Sequence, residues 1–151
     1  MERRGSSGGG CLMVVESAAG AAIFLVARVL FGGLLAFMGV NHFTDTEAMA
    51  GYAEMKGLPA PTFSVVASGV VLVLGGLGVV LGVAPVLAAG ALAAFLLVTA
   101  VTMHDFRAVP EDQTQDEMTQ FLKTVSLAGG ALSLLAVGGQ TWPYAAGVGL
   151  F

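Results

Sequence analysis

Charge is what this chain has least of. Only 11% of its 151 residues are Asp, Glu, Lys or Arg, where soluble domains carry about a quarter. A soluble helical bundle needs charge along every outer face. Here, between Arg28 and Asp105, the charged residues are Asp45, Glu47, Glu54 and Lys56, all in one stretch. Cysteine is nearly absent too. Cys11 stands alone, which excludes an internal disulfide and a Cys-x-x-Cys redox pair. Gly8-Gly9-Gly10 precedes it without an apolar run, so a lipoprotein signal is not expected. No Walker loop, Gly-x-Ser-x-Gly, His-Glu-x-x-His or dinucleotide fingerprint is present. The net charge of −4 argues against nucleic acid as a partner.

What remains is apolar. Hydrophobic residues make up 56% of the chain, and the mean hydropathy is +0.87. Residues 1–11 are polar and Gly/Ser-rich, residues 1–18 read as a disordered or amphipathic tail, and residues 19–151 as one membrane domain. Four apolar segments follow at about Ala19–Asn41, Thr62–Gly82, Val86–Met103 and Phe121–Gly139. A spanning helix needs ~17–25 such residues. Gly57-Leu58-Pro59-Ala60-Pro61 stops one helix and introduces the next. Val83-Ala84-Pro85 is too short for anything but an antiparallel turn. A long acidic loop is expected to reach Gln120, and the fourth span to continue past Pro143. The expected fold is all-α: a four-helix transmembrane bundle with a short amphipathic loop helix, both termini on the cytoplasmic side of a cell membrane.

Small and polar residues recur at alternating three- and four-residue steps. The series are Arg28, Gly32, Leu35, Gly39, His42; Ser68, Val71, Gly75, Gly78, Gly82; Gly90, Ala94, Leu97, Val101, His104; and Lys123, Ser126, Gly130, Ser133, Val137. Such seams let helix backbones approach where lipid offers no hydrophobic drive, and they are expected to face inward.

The chain's two histidines, His42 and His104, each close an apolar segment. With a third span between them they arrive at the same end of the bundle. There, with Asp105 close by, they could share a proton, bind a metal or hydrogen-bond a ligand carbonyl, or simply serve structure. Their spacing is not that of a local metal motif, and no metal is assigned. Arg28 lies about 13 Å into the first span at ~1.5 Å per residue. An intramembrane guanidinium suits an anionic headgroup, a carboxylate or a quinone oxygen. It could equally snorkel, or bond to backbone carbonyls and Gln140. A helix from Asp45 to Lys56 would put Met49, Tyr52, Ala53 and Lys56 on one face, as a lid. The ligand-contacting set is therefore Arg28, His42, Tyr52, Ser68, His104 and Asp105. No Asp or Glu lies inside a span, which argues against a proton-coupled carrier.

Several segments together resemble a known family. They are Arg28, Gly39-Val40-Asn41-His42-Phe43, Gly57-Leu58-Pro59-Ala60-Pro61, Ser68-Gly69 running into Gly75-Gly76-Leu77-Gly78, His104-Asp105-Phe106, and Phe121-Leu122-Lys123 ahead of Gly129-Gly130. Over about residues 22–139 the chain resembles the DoxX family of four-helix membrane proteins. The resemblance implies a subunit associated with quinone-linked redox or with sulfur and oxidative-stress metabolism, with quinone as the expected small molecule. It also implies a rival, a non-catalytic scaffold or chaperone that packs against other membrane proteins. The lipid bilayer, a redox or other membrane-protein partner and a further copy of the chain are the expected neighbours.

Overall fold

The computed structural model describes residues 17–104, 107 and 109–147. Cys11, Asp105 and nearly all of the expected tail lie outside the described residues. The rest is helical, with no strand among the described residues: α1 (Ala18–Thr44), α2 (Thr46–Met55), α3 (Pro61–Leu81), α4 (Pro85–Met103) and α5 (Glu111–Ala136). Local chemistry sets the boundaries. The Ser17 hydroxyl accepts from the Gly20 amide and caps α1. Proline opens both α3 and α4, where its missing N–H costs nothing. Gly82, at φ +67°, ends α3 in the left-handed region.

The long helices alternate in direction and pack in sequence, α1 on α3, α3 on α4, α4 on α5. The Phe31 ring of α1 meets Gly130 of α5 and closes the ring of four. Helices α1, α3 and α4 are long and apolar enough to cross a membrane. The fourth expected span, α5, is not among them and differs from expectation. Its helix starts at Glu111, so most of the expected acidic loop is helical, and its apolar part begins only at Phe121. Pro110 and the acids Glu111 and Asp112 in the first turn, favourable at the positive end of the helix dipole, explain the early start. The helix also ends at Ala136, before Pro143.

The tightest joint is between α1 and α3. A Cβ on Gly32 would collide with the Gly76 carbonyl oxygen, and one on Gly76 with that of Gly32. One heptad away, a Cβ on Gly39 would lie 2.9 Å from the Gly69 carbonyl oxygen, and one on Gly69 3.1 Å from that of Gly39. Two glycine pairs thus bring two backbones together. The other glycines of α3 turn to α4: Gly75 takes Leu92, and Gly78 takes Ala88.

The inward seam expected for α1 is the one observed, with Arg28, Gly32, Leu35 and Gly39 buried. In α4 and α5 the expected faces are wrong. Ala94, Leu97 and Val101 are exposed, and the core is built by Ala89, Leu92, Ala93, Leu96 and Ala100. In α5 Ser126 and Ser133 face out while Ala128, Ala131 and Leu134 face in. Alanine is a small residue too, smaller than serine and one methyl larger than glycine, so both faces of these helices satisfy a small-residue pattern, and packing volume decides between them.

Candidate functional site

The two ends of the bundle differ in kind. At one end Arg28 is completely buried, at 0% exposure. Its Nε donates to the Val79 carbonyl at 3.0 Å, Nη2 to Val80 at 2.7 Å, and Nη1 to Pro143 at 2.7 Å. The guanidinium also lies over the Trp142 ring at 5.0 Å and the Phe24 ring at 5.8 Å. Those rings meet edge to face at 5.1 Å, and the indole N–H donates to Val137 at 2.8 Å. The arrangement answers a need of α3. A helix leaves its last four carbonyls without intrahelical partners. Here Gly78 accepts from Gly82 and Val83, Val79 and Val80 accept from Arg28, and Leu81 accepts from the Ala146 amide. The cation also sits at the negative end of the α3 dipole.

At the other end a groove of about 770 Å³ runs between the last turn of α1, the short helix α2, the start of α3 and the end of α4. Its body is apolar, with Met49, Phe63, Val65, Phe95, Val98 and Met103, and its polar lining includes His42, Asp45, Tyr52, Ser64, Ser68, Thr99 and Thr102. Helix α2 lies over it as the expected lid, held by Ala50 and Ala53 against Val65. Arg28 does not line the groove. The sequence-derived set is therefore split: His42, Tyr52 and Ser68 share the groove, Arg28 stands at the far end, and Asp105 is outside the described residues.

His104 lies behind the lid rather than in the groove. Its Nδ1 is 3.2 Å from Glu117 Oε2. Glu117 Oε1 accepts from Lys56 Nζ at 2.9 Å and from the Tyr52 hydroxyl at 3.3 Å. One carboxylate on α5 thus ties the C-terminal turn of the lid to the end of α4. Tyr52 lines the groove and also the small polar cavity around His104, Gln113, Asp116 and Gln120. The hydrogen bond from Lys56 holds the Glu117 carboxyl below its usual range; burial opposes this and His104 assists it. The Lys56 ammonium is pulled down by burial but raised overall by Glu117 and Tyr52.

Glu117 falls in the stretch expected to be a loop and stands instead on α5. The signal was present: Gln113, Asp116, Glu117 and Gln120 stand at helical spacing behind a proline and two acids. Glu117→Ala is expected to weaken the lid by about 1–3 kcal/mol, the worth of a few bonds to a charged group, read as faster amide exchange over 46–55. The wild-type lid should be pH-sensitive in the same assay. Because the folded carboxyl titrates below its ordinary value of about 4.5, its contribution is complete above that pH and lost as pH falls through the folded value. Unchanged lid exchange across that acidic range would count against the latch.

Comparison with known proteins is consistent with this architecture. No curated protein and no solved structure matches the chain. The DoxX family model matches residues 23–105, more than half of the chain, covering α1 to α4 with Arg28, His42, Tyr52 and His104. With its apolar helices, it is a small integral membrane protein that belongs to the DoxX family.

Proposed function

We propose that the protein binds a small apolar molecule with a polar head, of the quinone type, in the groove under α2, and serves as a membrane subunit in quinone-linked redox or sulfur and oxidative-stress metabolism. The observation that carries this is the groove itself: an apolar body large enough for a ring and part of a tail, with a few polar groups in its lining. His42, Tyr52 and Ser68 are the proposed contacts. Arg28 is assigned a structural part, since its donors already meet three carbonyls. We place both termini on the cytoplasmic side, which reporter tags at each end would test.

Purification in mild detergent, followed by solvent extraction and mass spectrometry, should recover a quinone-type molecule with the wild type. Ser68→Phe, which fills the groove, should lose it while keeping the helical spectrum. An empty wild-type groove would remove this reading. The scaffold reading rests on a different observation, the outward-facing Ser126, Gly129 and Ser133 of α5, small residues that would admit another helix closely. Stoichiometric copurification of another membrane protein, lost on Gly129→Leu, would favour it.

A further inference from the structure

The polar wall of the groove has a one-sided hydrogen-bonding character. The Ser64 hydroxyl donates to the Pro59 carbonyl at 3.0 Å, Ser68 to Ser64 at 2.7 Å, and Thr102 to Val98 at 2.9 Å. Each proton is spent within the fold, and each oxygen keeps lone pairs. His42 Nδ1 lies 2.9 Å from the Met38 carbonyl. A carbonyl can only accept, so Nδ1 carries the hydrogen, and in the neutral ring Nε2 is an acceptor. Asp45 adds a carboxylate. The Tyr52 hydroxyl donates away from the groove, to Glu117. Donors are confined to Thr99, whose hydroxyl proton has no partner among the described bonds, and to the starts of α2 and α3, neither of which has a side-chain cap.

Resting on the reading of the groove as a ligand site, we propose that it selects an apolar molecule bearing hydroxyl donors (an alcohol, a phenol or a hydroquinone) over the corresponding carbonyl compound. A hydroxyl placed between His42 Nε2 and the Ser68 or Thr102 oxygens finds acceptors at once. A carbonyl oxygen in the same place meets only other lone pairs, and its desolvation goes unrepaid. For a quinone-type ligand this means that the reduced form is held and the oxidised form released. The same logic makes His42 the group that accepts the ligand's hydrogen bond, a positioning role set by its Met38 contact.

The test uses the full chain in detergent and three probes of one shape: tert-butylhydroquinone, tert-butylbenzoquinone, and the dimethyl ether of the hydroquinone. Binding is measured by isothermal titration, with Ser68→Phe as the control for partition into micelles. The hydroquinone should bind about tenfold tighter than either other probe, the worth of one or two net hydrogen bonds. His42→Phe should erase most of that difference, whereas Thr99→Val should preserve it. If His42→Phe does not fold, Ser68→Ala with Thr102→Val should reduce the preference instead. A quinone bound as tightly as the hydroquinone overturns this inference and leaves the groove's role as a ligand site standing. Failure of all three probes to exceed the Ser68→Phe control overturns both.

Discussion

Replacing Arg28 with leucine or methionine should cost the bundle about 3–5 kcal/mol. The figure follows from three carbonyls losing their donor, at about 1–3 kcal/mol for each one left buried and unpaired, reduced because relaxation of the Pro143 segment lets some find other partners. Val79 and Val80 belong to the last turn of α3 and are fixed. The expected result is a fall of many degrees in thermal stability in detergent, with loss of the Trp142 environment seen by fluorescence. Arg28→Lys should rescue little. An ammonium has three donors, but at a single point, whereas the guanidinium reaches carbonyls on two separate segments through a rigid fork. The opposite outcome would be a well-folded Arg28→Leu protein that has lost a bound small molecule. That would return Arg28 to the ligand set.

The second large effect belongs to the α1–α3 joint. Gly32→Ala and Gly76→Ala each drive a methyl into backbone atoms of the facing helix, where no side-chain rotation can make room. Overpacking of this sort costs typically about 1–3 kcal/mol, and a backbone obstacle places it at the upper end. Gly33→Ala and Gly129→Ala are the matched controls, since a Cβ at either position meets nothing within 4 Å. Alanine is the better helix former by roughly 1 kcal/mol, so the controls should hold or gain stability. Equal effects at all four positions, measured by unfolding in mixed micelles, would show that the joint yields.

The contrast between these positions explains what could be read in the sequence. Gly32 and Gly39 were legible as a seam because Arg28 marks the same face of α1, and a buried charge fixes which side of a helix is inward. Nothing similar marks α4 or α5, where alanines and leucines on one face compete with glycines and serines on the other. The seam there was misread for that reason. His42, Tyr52 and Ser68 line one groove; His42 and Tyr52 stand near breaks in apolar runs, which topology brings to one end, whereas Ser68 lies on the small-residue seam inside the apolar run of α3. The partners of Arg28 were not found. They are main-chain oxygens, which carry no residue-type signal, and they lie 51, 52 and 115 positions away. Glu117 was hidden by its acidic neighbours until α5 was known to begin at Glu111.

The span of chain that joins Arg28 to Pro143 also bears on how the protein is made. Synthesis is vectorial, and α1 reaches the bilayer long before residues 142–146 leave the ribosome. During that interval the guanidinium has no aromatic cover from Trp142 and no third acceptor, and before α3 arrives it has none of its carbonyl partners. A naked arginine in hydrocarbon is costly. The first helix therefore has reason to linger at the insertion machinery until α3 joins it, and the stretch after α5 acts as the closing stitch. Shortening the protein past Ala136 should accordingly harm its accumulation in the membrane far more than the modest size of that segment suggests.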